Sequence, residues 1–174
     1  MDQLAKESVE SGTKVYLGLH RTDFNEQIDL QIKKIHHQEI QNESRYKGTE
    51  YFNQYYSPQK SKPWFFKNKA KRLHITTINR IRANHYSLAA SLFRKNMTNS
   101  AACTCGAETE DIDHVIFHCP KYDQQRKTLK KQFILTAEKY KSQPPTTITQ
   151  IMKHPESLYA IFITIFLKKC NLSV

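Results

Sequence analysis

A mostly α-helical bundle, with a small Cys/His knuckle between helical units, is the fold this sequence predicts. Three observations lead there. The chain has only 4 glycines in 174 residues, too few for a turn-rich all-β fold. Apolar residues recur at helical intervals through several stretches. Three of the four cysteines and two of the eight histidines crowd into the 17 residues from Cys103 to Cys119, CTCGAETEDIDHVIFHC. A chain of this length is one domain, or one domain with a tail.

Residues 1–16 read as the end of a helix, with Leu4, Ala5 and Val9 on one side and Ser11-Gly12 as its stop. A second helical pattern covers residues 23–45, where Phe24, Ile28 and Ile32 keep the i, i+4, i+8 spacing of one stripe. His36 and His37 sit at its polar edge with no close third ligand, and read as surface residues. Gly48, Pro58 and Pro63 then break the period. In this connector Tyr46, Tyr51, Tyr55 and Trp64 interleave with Lys60, Lys62, Lys67 and Lys69. Such a pattern can stack bases along a single strand. The favoured reading is that its aromatics pin it to the core, because Trp64-Phe65-Phe66 is too apolar to stay exposed.

Residues 71–96 read as two helices jointed near Asn84–His85, the first with Ile75, Ile78 and Ile81 and the second with Leu88, Ala89, Leu92 and Phe93 as apolar positions. Arg72, Arg80, Arg82, Arg94 and Lys95 fall off these stripes, on the outer face of the pair. Thr109 or Asp111 can cap a helix that carries His114, and Pro120 opens the next one at its first position. Tyr122, Arg126, Leu129, Phe133, Ala137 and Tyr140 continue that stripe to about residue 141. A short helix over 147–153 and a last one over SLYAIFITIFLKK complete the chain. Four segments result: 1–16; a helix and aromatic/basic connector, 17–70; the basic helical pair, knuckle and following helix, 71–141; and C-terminal helices, 142–174.

Charge is distributed unevenly. Net charge is +11, and residues 51–107 hold 10 Lys/Arg and no acid at all, although the chain contains 16 acidic residues. A cationic block of this kind points to a polyanion, with nucleic acid ahead of acidic lipid. Guanidinium groups suit phosphate because their donor fork binds two oxygens at once. The opening MDQLAKESVE has no apolar signal core, and Leu158 to Leu167 is too short to span a bilayer. Close cysteine spacing without an export signal favours metal over disulfides and a nuclear or cytoplasmic location.

The knuckle reads Cys-x-Cys-x8-His-x4-Cys, with ligands Cys103, Cys105, His114 and Cys119. Three thiolates and an imidazole form a closed tetrahedral set, that of structural zinc. Two alternatives stay open. His114 and His118 are at i, i+4, so His118 can replace Cys119 as the fourth ligand. The thiols can also be buried without metal. Cys170 lies far from the cluster and reads as a small packing residue.

From Arg80 to His85 and from Cys103 to Arg126, RIRANH followed by C-x-C-G-x-E-T-x4-H-V-x3-C-P-x-Y-x3-R resembles the C-terminal region of jockey-like non-LTR retrotransposon polyproteins. The opening residues 2–6 resemble the segment that ends their RNase H domain, which would place the last acidic residue of that two-metal site on Asp2. Asn84 stands where the family has glycine, and residues 23–56 lack its tryptophans. The reverse transcriptase body and the other RNase H carboxylates are absent from the sequence, and a two-metal nuclease needs several converging carboxylates. The resemblance therefore implies a non-enzymatic accessory module with structural zinc. It would bind RNA or DNA without strong sequence specificity, and has no membrane role. Rival readings are a truncated fragment without function, a subunit acting only with a separate RNase H or polymerase chain, and a protein-interaction module using the apolar C-terminal helix.

Overall fold

The structure is a computed structural model that describes residues 3, 6, 7, 18, 21–60, 62–67 and 69–172, with residues 21 and 23 described by backbone only. Within the helix expected over residues 1–16, only Gln3, Lys6 and Glu7 are described, and they are helical. Asp2, Leu4, Ala5, Val9 and the Ser11-Gly12 stop lie outside the described residues. The chain divides into two compact units, Met1–Asn42 and Glu43–Val174, a boundary that falls inside the expected segment 17–70.

In the first unit the described structure is essentially α1 (Arg21–Glu43). Its stripe of Phe24, Ile28 and Ile32 is present, yet all three side chains are exposed, as are Leu30, Ile35 and Ile40. His36 is exposed and His37 half-buried on the same helix.

The second unit is built from α2 (Thr49–Tyr55), α3 (Arg72–Arg82), α4 (Ala89–Arg94), a π-helical turn (His114–His118), a 3-10 turn (Pro120–Tyr122), α5 (Asp123–Lys139), α6 (Ile148–Met152) and α7 (Leu158–Lys169). There is no strand among the described residues. The β-branched α7 is a helix because Ser157 caps it, its hydroxyl accepting from Ala160 N–H, and because its residues are the centre of the core. Ala160, Ile163, Phe166 and Leu167 are buried there. On α7 pack α5, with Leu129 and Phe133 in the shared core, and α3, with Ile78 and Ile81. Full burial of such a side chain stabilises by about 1.5–3 kcal/mol. His74 Nδ1 meets Thr164 Oγ1 at 2.8 Å and ties α3 to α7. Thr147 and Gln150 form a capping box at the start of α6. No helix among the described residues is long and apolar enough to cross a membrane.

The connector is pinned as expected, by Tyr55 and Trp64, which pack against the core. The Trp64 indole N–H also donates to Asn79 Oδ1 on α3 at 2.7 Å. Its other aromatics face outward in part: Tyr46, Tyr51 and Phe66 are exposed. The periodic reading also misplaces Phe93 and Tyr140, both exposed, because α4 and α5 each end within a residue or two of them. Pro120 starts the 3-10 turn rather than α5 itself.

Helix ends show how the chain manages with few glycines. At the end of α3, His85 N–H bonds Arg80 O and Asn84 N–H bonds Ile81 O, each at 2.9 Å, with Asn84 at φ +51°. This is a Schellman closure, and Asn84 takes the left-handed position that glycine most often fills in such closures. The same pair of bonds closes α4 at Asn96, α5 at Lys141 and α7 at Asn171, all at positive φ. Asparagine tolerates that conformation because its short polar side chain bonds locally.

Lysine has no such compensation. The exposed Lys141, at φ +50°, therefore marks a removable cost. Lys141→Gly should raise stability by about 0.5–1 kcal/mol, the left-handed penalty less the extra unfolded entropy of glycine. Thermal denaturation should show this as a Tm increase of about 1–4 °C.

Candidate metal centre

The first two ligands sit on a tight turn. Cys103 N–H bonds Ala107 O at 2.9 Å, and Gly106 N–H bonds Cys103 O at 3.0 Å. Gly106 is at φ +99°, a conformation that suits a residue without Cβ. Glu110 N–H bonds Ala101 O at 2.8 Å and closes the base of the loop.

The other two ligands flank the π-helical turn. In an α-helix, residues five apart are rotated by about 140° relative to each other. Here Cys119 N–H bonds His114 O at 2.7 Å, an i→i+5 closure that widens the turn and brings both residues to one side. Asp111 caps this segment, as anticipated for Asp111 or Thr109, its Oδ1 accepting from His114 N–H at 2.7 Å. Val115 and Ile116, between the ligands, are fully buried in the core. The turn therefore feeds the core and the ligand set at once.

The four ligand atoms of Cys103, Cys105, His114 and Cys119 lie within 4.8 Å of one another. Cys103 Sγ and Cys119 Sγ are 3.8 Å apart, and Cys105 Sγ and His114 Nε2 are 3.3 Å apart. Two thiolates at about 2.3 Å from one tetrahedral ion stand about 3.8 Å apart, and a thiolate–imidazole pair about 3.6 Å. A disulfide requires sulfurs at about 2.05 Å, so Cys103 and Cys119 are not joined. The donor set thus fits a metal. His118 is exposed and outside the group, so the structure brings Cys119 to the site and leaves His118 out. Cys170 packs against the core, also apart from it.

Two thiols differ in character. Burial, together with the neighbouring thiols of Cys105 and Cys119, pushes Cys103 up to about 12. Cys105 is held below the ordinary thiol value, chiefly by a backbone hydrogen bond at Ala107. A bound cation reverses the cost of ionising the buried thiol.

Three further residues brace the site, and only one was singled out in the sequence, as part of a stripe. Arg126 is buried and donates to Ile116 O at 2.8 Å, to Val115 O at 3.1 Å and to Cys119 O, while pairing with Asp123. Two of these carbonyls, Val115 O and Ile116 O, belong to the π-helical turn, while Cys119 O also accepts from Tyr122 N–H at 3.2 Å. Glu110 accepts from Ala89 N–H at 3.0 Å at the start of α4, and its other oxygen is 3.6 Å from Cys103 Sγ. Asp113 accepts from Ile148 N–H at 2.8 Å, and its burial raises its pKa. An arginine in an apolar stripe, and acids next to ligands, were the only sequence signals for these roles.

The expected cationic residues divide. Arg72, Arg80 and Arg94 are exposed, and Lys95 is half-buried. Arg94 also donates to Asn84 O. Arg82 does not lie on the outer face. It is 8% exposed and folds over Tyr51 and Tyr55, its guanidinium carbon 5.2 and 4.9 Å from their ring centroids. Two steps beyond Arg80 on a helix is a turn of about 200°, which carries Arg82 to the opposite side, where α2 lies.

Among known proteins, no family model matches the chain, and no solved structure matches it. A 38-residue stretch, 22% of the chain, is 47% identical to the retrovirus-related Pol polyprotein from type-1 retrotransposable element R1 3 of Nasonia vitripennis. The match covers 10% of that protein, so the chain aligns with only a small part of its length. Over that stretch the chain is similar to a retrotransposon polyprotein.

Two outcomes follow for the site. Co²⁺ added to reduced protein should give thiolate charge-transfer absorbance at about one equivalent, weakened in Cys119→Ser, which keeps two of the three thiolates, and retained in full in His118→Ala. Arg126→Met should cost about 3 kcal/mol by stranding buried carbonyls, lowering Tm by roughly 6–12 °C; calorimetry on the metal-loaded protein measures it.

Proposed function

We propose that the protein is a nucleic-acid-binding module of retrotransposon origin, in which a zinc-braced knuckle fixes a helical pair that presents cations to phosphate. The observation that carries this reading is the run of 57 residues, 51–107, with 10 Lys/Arg and no carboxylate, directly before the ligand cluster. Exposed Arg72, Arg80 and Arg94 supply guanidinium forks on α3 and α4, and the half-buried Lys95 adds a point charge. Zinc is the ion this donor set favours, since three thiolates and an imidazole select a soft tetrahedral cation. When bound it cross-links the loop at Cys103 to the turn ending at Cys119. With all four positions filled by side chains the metal has no open coordination site, so its part is structural. Backbone contacts of this kind carry no base code, and RNA and DNA are both within its reach.

The similarity to a Pol polyprotein, over a tenth of that protein's length, favours a second reading. In it the module acts beside a separate polymerase or RNase H chain, delivering nucleic acid to it.

Binding to a mixed-sequence duplex should weaken steeply as salt rises. Replacing Arg72, Arg80 and Arg94 together with alanine should reduce the slope of log K against log salt by about 2–3, roughly 0.9 for each lost phosphate contact. A flat salt response of the parent protein, measured by fluorescence anisotropy, would remove the basis for the reading.

A further inference from the structure

A cleft on the second unit is separate from the metal centre. Its cavity is about 550 Å³, within the usual range for small-ligand sites of about 300–1,000 Å³. Tyr51, Tyr55 and Trp64 line it, with Arg82 at its wall and the exposed Lys60 and Lys153 at its edge. The sole tryptophan of the chain is therefore in this cleft.

Arg82 is the residue that needs an explanation. Its guanidinium is buried against two tyrosine rings, and its Nε has no hydrogen-bond partner among the described residues. A buried cation is costly, and aromatic faces offset only part of that cost. Buried donors are nearly always paired; Arg82 Nε is buried and unpaired, and the residue lines an open cavity from which an acceptor can approach the rest of its guanidinium. The cleft carries one acid, Glu156, against four cations, Lys60, Lys62, Arg82 and Lys153, so its field favours an anion. An anion attached to a flat ring would use both the cations and the aromatic walls.

We propose that this cleft takes an unpaired nucleotide of a single-stranded nucleic acid, the base against the aromatic wall and the phosphates toward Arg82, Lys60 and Lys153. The proposal rests on the nucleic-acid reading above but on a different set of residues from the helical face. Stacking on aromatic side chains is tolerant of sequence and requires an unstacked base, so the cleft distinguishes single strands from duplex. Connector residues 51–65 then have two roles, since the aromatic segment that anchors the connector also forms the site.

Trp64 reports on the cleft directly. Oligothymidylate of about ten residues should quench its emission saturably, with the same midpoint as the anisotropy of the labelled strand. Lys60→Ala with Lys153→Ala, both exposed, should raise that midpoint about tenfold at low salt. A charge-matched control, Lys127→Ala with Lys139→Ala, should leave it in place. Thymidine monophosphate quenching as strongly as the strand at equal concentration would overturn the assignment to a strand. Anisotropy rising while Trp64 emission stays constant would overturn the cleft and leave the helical-face reading standing. Quenching that persists unchanged in the Arg72, Arg80, Arg94 triple alanine variant while duplex binding is lost would support the cleft as a site separate from the helical face, and quenching lost together with duplex binding would overturn it.

Discussion

The backbone hydrogen bond from Cys119 to His114 is the constraint on which the second unit depends. An ordinary α-helical turn would send these two side chains to opposite sides, and the ligand set would never converge. Widening the turn by one residue aligns them. It also leaves carbonyls without their usual partners, in a segment whose Val115 and Ile116 are fully buried. Arg126 resolves this by reaching two of them, Val115 O and Ile116 O, from α5, together with Cys119 O, so its guanidinium belongs to the knuckle as much as to its own helix. Metal geometry, core packing and the docking of α5 are one coupled arrangement.

Two buried arginines show how differently the same side chain can be used. Arg126 has backbone oxygens and Asp123 around it, a fully partnered cation whose planar donors match carbonyls held at fixed positions. Arg82 has tyrosine faces and an unpartnered Nε beside a cavity. Burial accordingly lowers its pKa, with Tyr51, Tyr55 and Glu156 acting against the shift. The first arrangement is closed and structural; the second is open toward solvent on one side.

Much of this was legible in the sequence, for definable reasons. The 3.6-residue period placed α3, α5 and α7 because each buries one face, and the knuckle ligands were legible because their residue types are rare and crowded. The choice of Cys119 over His118 was not, since an i, i+4 histidine pair suits a regular helix and only the wider turn makes i, i+5 the converging pair. Arg82 was misread for a related reason. On α3 its neighbours Ile78 and Ile81 define a buried side, and Arg82 borders it, but the tyrosines that cover it come from α2, a helix whose position no local pattern specifies. Phe93 shows the converse, an apolar residue at a helical interval in a helix too short to bury it.

The acidic run after Gly106 completes the electrostatic logic. Glu110, Asp111 and Asp113 stand within four positions, and each accepts a backbone N–H near a different helix start: Ala89 at α4, His114 at the π-helical turn and Ile148 at α6. Carboxylates are favoured at such termini, where orphan N–H groups carry partial positive charge. These acids are therefore turned toward backbone donors within the fold, and their negative charge is matched there. Arg72, Arg80 and Arg94 remain exposed on α3 and α4. The segment that carries α3 and α4 can lack acids entirely because the cap for α4 comes from beyond it in sequence, from Glu110. An acid-free cationic segment and a knuckle that organises three helix starts are thus two results of the same placement of carboxylates.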